Sequence, residues 1–191
     1  MRRHILVSLL TSFSMIIYAQ VELSNPSFEG IQPQDATLPT GWLACKSGTT
    51  PDILPGPWGV IKEPSEGETY LGLITRADNS WESITQRLPS ELKAGKCYYL
   101  KMDLAYSIRY PRHNLPVVLK MYGSNDKCAD PELLFTSELI DNTDWKTFDF
   151  IFKPERSFRY IILEAYYGGE EKIGGNILID NIQMIQECGR A

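Results

Sequence analysis

The sequence predicts an all-β fold, a two-sheet antiparallel β-sandwich or a barrel, on three observations. Short apolar or alternating runs fill the chain. Pro, Gly, Asn and Asp stand at their joints, where turn chemistry is expected. No long stretch carries the 3.6-residue apolar period of an amphipathic helix.

Taken in order, residues 21–23 and Phe28 flank the turn-prone Ser24-Asn25-Pro26. Residues 69–75 form a strand entered through Ser65-Glu66-Gly67, and residues 83–88 form another that Pro89 ends. A short helix is expected at 90–93. Residues 97–107 alternate most clearly, with Tyr98, Leu100, Met102, Leu104 and Tyr106 on one face and Lys101, Asp103 and Ser107 on the other. A period of two marks a half-buried strand. Runs at 117–122, 133–137, 145–152, 160–166 and 176–185 complete the set.

The first 19 residues read as an export signal. Arg2 and Arg3 precede an apolar stretch at 5–17, and Tyr18-Ala19-Gln20 offers a small residue for cleavage after Ala19. The stretch is shorter than the roughly 18–20 residues of a membrane-spanning helix, so no membrane insertion is expected. No cysteine follows it to carry a lipid, and the chain stops just after Cys188, so no C-terminal anchor is expected. Residues 20–191 are read as one domain, secreted or periplasmic. Without the leader, 17 basic residues face 24 acidic ones, a net charge of −7. That balance disfavours nucleic acid and anionic membranes as partners.

Four cysteines, Cys45, Cys97, Cys128 and Cys188, lack any CxxC spacing. In an exported chain an even count favours disulfides over zinc. Three connectivities are open. Cys97–Cys188 with Cys45–Cys128 is preferred, because Cys97 opens a strand and Cys188 closes the last one.

Several motifs occur in a fixed order. Asn25-Pro26-Ser27-Phe28-Glu29 precedes Gly41-Trp42, and Glu66-Gly67-Glu68-Thr69-Tyr70-Leu71-Gly72-Leu73 precedes Ile84-Thr85-Gln86-Arg87-Leu88. Ala94-Gly95-Lys96-Cys97-Tyr98-Tyr99-Leu100, Asp144-Trp145-Lys146-Thr147-Phe148 and Ile177-Leu178-Ile179-Asp180-Asn181-Ile182 follow. This succession resembles the family 4/9-type carbohydrate-binding modules, within the galactose-binding-domain-like jelly rolls, and small secreted Bacteroidetes domains. The resemblance implies a jelly-roll topology and a noncatalytic binding role. It also implies a structural calcium where the first and last strands meet, at Glu29 and Asp180, with carbonyls near Gly67 and Glu68. Calcium takes six to eight oxygens. The alternative is that both carboxylates bond to turn amides.

Enzyme signatures are sparse. After the leader the one histidine is His113, in a loop, and no HExxH, GxSxG, P-loop or dinucleotide motif occurs. A glycosidase needs two acids across a cleft. Glu63, Glu66, Glu68, Glu82, Asp103 and Glu164 are available, although strand carboxylates are ordinarily solvated.

Aromatic residues point instead to carbohydrate, whose flat C–H faces stack on rings. Trp58, Trp81, Tyr110, Tyr122, Tyr166 and Tyr167 are the candidate platforms, with Arg76, Glu82 and Arg109 as candidate hydroxyl readers. Trp42, Trp145, Tyr98 and Tyr106 read as core or turn packing. The connection at 46–66, with Pro51, Pro55, Pro57 and Pro64, is a long loop of the kind that often carries function. The competing expectation is a protein-binding adhesion or assembly module using the same loops.

Overall fold

Alternating residues of the central strands decide which side of each sheet is buried. The structure is a computed structural model describing residues 20–189, so the expected leader at 1–19 lies outside the described residues. The first strands are β1 (Gln20–Val21), β2 (Leu43–Ala44), β3 (Asp52–Leu54), β4 (Tyr70–Thr75), β5 (Ser83–Leu92) and β6 (Tyr98–Ala105). Then come β7 (Leu115–Pro116), β8 (Val118–Ser124), β9 (Glu132–Thr136), β10 (Lys146–Phe152), β11 (Phe158–Tyr166), β12 (Gly175–Asp180) and β13 (Ile185–Glu187). One 3-10 turn, Pro57–Gly59, interrupts them, and no described helix is long and apolar enough to cross a membrane.

Two sheets result, forming a jelly-roll sandwich. The first runs β1-β13-β6-β12-β4-β3, with β10 on the free side of β6 and β7 beside β12. The second runs β2-β5-β11-β8-β9. Pairing is antiparallel apart from β7, which runs parallel to β12. Between the sheets lie Leu71, Leu73, Leu100, Met102, Leu104, Phe148, Phe150, Ile177 and Ile179 from the first. Ile84, Leu88, Leu119, Met121, Ile161, Leu163 and Ala165 meet them from the second. Each large side chain so buried stabilises the fold by about 1.5–3 kcal/mol.

The structure differs from the sequence expectations at four points. No helix forms at 90–93: β5 continues to Leu92, which is fully buried and pairs with Phe158. Pro89 does not end the strand, because the β5–β11 register shifts between Phe158 and Tyr160 and the irregularity accommodates a residue with no N–H. The run at 176–185 is two strands. Asn181 adopts φ 48° and donates its N–H to Asp180 Oδ1 at 2.7 Å, turning the chain between β12 and β13. The short strands β2, β3 and β7 fall inside stretches that read as loops.

The long 46–66 connection turns out to contain β3 and then a strap over the outer face of the first sheet. Under it Leu54, Val60, Tyr70, Ile74, Ala105, Tyr110 and Leu178 form a second apolar cluster, flanked by Trp145. Tyr70 Oη donates to the Lys62 carbonyl at 2.9 Å and Trp145 Nε1 to that of Glu63 at 2.7 Å.

Both disulfides pair as preferred, Cys45 with Cys128 and Cys97 with Cys188. The second staples β6 to β13 beside a Cys188 N–H bond to the Cys97 carbonyl at 2.9 Å.

Asp103 fastens the strap. It accepts from Ser65 Oγ at 2.5 Å, Thr147 Oγ1 at 2.5 Å and Asn181 Nδ2 at 3.0 Å. Burial pushes its carboxyl up, but these bonds outweigh that and hold it below the usual carboxylate range. A lowered folded value stabilises above the ordinary unfolded value of about 4, and the gain is lost as pH falls through the folded value. Asp103→Ala is therefore expected to cost about 1.5–3 kcal/mol at neutral pH. Urea unfolding across acid pH should show the wild-type advantage shrinking.

Candidate functional site

On the second sheet, residues that alternate with the core point outward and form cross-strand rows. Ser83 of β5 stands opposite Glu164 of β11, which stands opposite Lys120 of β8. In the next such row Thr85 faces Ile162, which faces Tyr122. Apart from Thr85, which is fully buried, these residues line a groove of about 290 Å³ together with Cys45, Lys46, Trp81, Cys128, Pro131 and Tyr166.

Aromatic rings crowd one end of this groove. Trp81 enters through a bridge to Thr75 and meets Tyr166 edge-on, with ring centroids 5.0 Å apart. Tyr167 lies 6.0 Å from Trp81 and 5.3 Å from Tyr166. Lys46 Nζ sits 3.6 Å from the Trp81 ring centroid, and Lys120 Nζ 3.4 Å from that of Tyr166. Such contacts are worth about 0.5–2 kcal/mol, more when shielded from water.

Glu164 is the carboxylate among them. It accepts from Tyr122 Oη at 3.1 Å and pairs with Lys46 at 3.6 Å. Burial, reinforced by Glu164, pushes the Tyr122 phenol up. Burial pulls the Lys120 ammonium down, Glu164 opposes the change and Lys172 adds to it. Among the described residues, Trp81 Nε1 and Ser83 Oγ are buried polar atoms with no hydrogen-bond partner. Native structures leave few such atoms, and both belong to this groove.

Other residues singled out from the sequence go elsewhere. Arg76 and Glu82 pair at 2.6 Å, and Glu82 is fully buried. Its Oε1 accepts from Thr50 N–H at 3.0 Å and Thr50 Oγ1 at 2.9 Å, and its Oε2 from Ile74 N–H at 3.1 Å. Glu82 thus has its oxygens committed inside the protein. Trp58 and Tyr110 border a separate cavity of about 480 Å³ with Asp52, Ile74, Arg112 and His113. Trp58 is 52% exposed, whereas Tyr110 is buried and its hydroxyl donates to Asp52. His113 Nδ1 lies 2.8 Å from the Thr75 carbonyl. Arg109 borders a third hollow with the exposed Ile61 and Ile108. The structure therefore joins Trp81 and Tyr166 and separates them from Trp58, Tyr110 and Arg109.

Glu29 and Asp180 close on one turn from opposite ends of the chain. Glu29 Oε1 accepts from the N–H groups of Glu68 and Thr69, each at 2.9 Å. Asp180 Oδ2 accepts from those of Ser65 at 2.8 Å and Glu66 at 3.0 Å. Burial pushes the Asp180 carboxyl up to about 7, against the pull of these amides. Among the described residues no three or more His, Cys, Asp or Glu side chains gather as a metal cluster.

Lys46, Ser83 and Lys120 were absent from the expected ligand set. Lys120 was readable, since alternation with core Leu119 and Met121 places it outward beside Tyr122. Lys46 carries no such pattern and reaches the groove through tertiary folding.

No family model matches the sequence, and no curated protein is significantly similar to it. Solved structures are similar in shape. The CBM22-1 xylan-binding domain from Paenibacillus barcinonensis Xyn10C aligns at TM-score 0.52 and 16% identity, over 86% of this chain and 93% of that one. Family 16 and family 4 carbohydrate-binding modules align at TM-score 0.50. The fold is a jelly roll of the kind these carbohydrate-binding modules share. An arabinose-bound GH51 α-L-arabinofuranosidase shares it at TM-score 0.64 and 14% identity over 89% of this chain, which spans 26% of that enzyme chain. The K3 cleaved adhesin domain of Lys-gingipain from Porphyromonas gingivalis shares it at TM-score 0.54 and 12% identity, over 88% of this chain and 98% of that one. Because Glu82 is fully buried, the Arg76–Glu82 pair is expected to be structural. Arg76→Met should lower stability by about 1–3 kcal/mol in urea unfolding, because the buried Glu82 carboxyl loses a charged donor.

Proposed function

We propose that the protein is a secreted, noncatalytic binding module whose ligand is a carbohydrate lying along the groove of the second sheet. The observation that carries this reading is the gathering of Trp81, Tyr122 and Tyr166 with hydroxyl, ammonium and carboxylate groups in a groove on the outer face of the second sheet. Rings offer stacking surface to sugar C–H faces, and convergent polar groups read hydroxyls. The jelly roll shared with carbohydrate-binding modules supports it. Two disulfides favour an oxidising compartment, in keeping with export. Noncatalytic action is favoured because the groove is lined by one carboxylate, Glu164, whereas glycosidic hydrolysis ordinarily uses two.

Protein docking is a second reading. It is favoured by Ile61 and Ile108, 61% and 63% exposed beside one another's hollow, and by the fold shared with an adhesin domain.

A glycan array followed by titration calorimetry tests the first reading. Tyr166→Ala and Trp81→Ala are each expected to weaken the selected glycan about tenfold, and Trp58→Ala to leave it unchanged. A silent array, with a protein partner lost in Ile61→Asp, would establish docking instead.

Calcium is proposed on narrower ground, the closure of Glu29 and Asp180 on the 65–69 turn. The amide donors they hold now compete with it, since a calcium shell requires those oxygens. With the ion bound there, melting temperature should rise in excess calcium and fall in excess chelator. An unmoved melting curve would remove the ion from the account.

A further inference from the structure

Two of the groove's three rings, Trp81 and Tyr166, each carry an ammonium over one face. Trp81 carries the Lys46 ammonium and Tyr166 that of Lys120, at 3.6 and 3.4 Å from the ring centroids. Lys172 Nζ lies 4.5 Å from the ring centroid of neighbouring Tyr167. Three successive rings thus each hold a lysine. Against the two lysines that line the groove stands a single carboxylate, Glu164, itself held by Tyr122 and Lys46. Across the groove, Asp130 and Glu132 flank Pro131 but are tied to Arg156, at 2.6 and 3.4 Å. This local positive excess sits on a chain whose formal net charge is −5.

A neutral sugar stacking on the lysine-covered face of Trp81 or Tyr166 must push an ammonium off the ring and offers it only neutral hydroxyl acceptors in return. An anionic group on the sugar replaces that contact with a charge-assisted hydrogen bond, which is shorter and stronger than a neutral one. The desolvation that pulls the Lys120 ammonium down, and the repulsion from Lys172 that adds to it, would be relieved by the same anion.

We propose that the groove selects an acidic glycan, seating its anionic group between Lys46 and Lys120 while the sugar ring lies against Trp81 and Tyr166. This rests on the carbohydrate reading above and names its ligand class. The shared chemistry is an anionic substituent on a sugar ring, supplied by a uronate carboxylate or by a sulfate ester.

The test is titration calorimetry of the full mature chain with three oligosaccharides of matched length: an oligogalacturonate, a chondroitin sulfate fragment and a neutral xylo-oligosaccharide. At least one acidic ligand is expected to bind about tenfold or more tightly than the neutral one, and to weaken as salt is raised. Binding to one acidic ligand alone identifies carboxylate or sulfate as the group read. The paired substitution Lys46→Gln with Lys120→Gln should abolish this preference, with a retained cooperative melting transition showing that the fold is intact despite the lost ring and Glu164 contacts. Lys172→Glu, an exposed change away from the lining, should weaken acidic ligands by a smaller factor through its field alone. Neutral binding that equals or exceeds acidic binding and survives the paired substitution overturns the proposal while leaving the carbohydrate reading in place. No binding by any of the three, together with a silent array, overturns both.

Discussion

Glu82 has no exposed surface, and its oxygens hold donors from Thr50, Ile74 and Arg76. Burial pushes its carboxyl up, and Thr50 and Arg76 act against that push. A buried carboxylate is tolerated only when its donors are in place, so the donors are as constrained as the acid. Its backbone extends the constraint: the Glu82 N–H bonds to the Ile74 carbonyl at 3.0 Å, and its own carbonyl accepts from Ala165 N–H at 3.1 Å. One residue therefore ties β4 of the first sheet to β5 and β11 of the second. Trp81 is its chain neighbour, and the loop bearing Lys46 hangs from its Oε1 through Thr50. The groove's aromatic end is built around this buried charge.

The sandwich treats its two outer faces differently. On the first sheet, Tyr70, Leu178 and Ala105 would present apolar surface to water, and the 55–69 strap covers them. On the second, the outward rows are mixed, with Ser83, Glu164 and Lys120 in one and Thr85, Ile162 and Tyr122 in the next. Lys120 and Tyr122 keep part of their surface exposed there, while Ser83, Thr85, Ile162 and Glu164 are buried. The long Pro-rich connection thereby covers the outer face of the first sheet, and the groove lies on the outer face of the second.

Much of this architecture could be read from residue order, for identifiable reasons. Tyr98, Leu100, Met102 and Leu104 alternate because one face of β6 meets the core, and the same rule located β8, β10 and β11. The cysteine pairing followed from placing Cys97 and Cys188 at strand ends that neighbour one another. Strands β2, β3 and β7 were hidden because two or three residues carry no period; long-range pairing partners define them. Pro89 misled because the register irregularity that accommodates it belongs to the pairing with β11, not to the local sequence. At the site, Trp81 and Tyr166 were visible as aromatics beside polar groups. Glu82 next to Trp81 looked equally available, and only its enclosure by Thr50, Ile74 and Arg76 shows otherwise.

The Cys45–Cys128 bond lies in the groove wall itself, joining the segment that carries Lys46 to the β8–β9 loop. Those two stretches are separated by 83 positions in sequence and would otherwise fluctuate independently. A covalent clasp sets their spacing before any ligand arrives. Ordering entropy that a looser pair of loops would surrender on binding has been surrendered already, during folding. An oxidising environment thus does more than preserve the domain: it fixes the width of the groove itself.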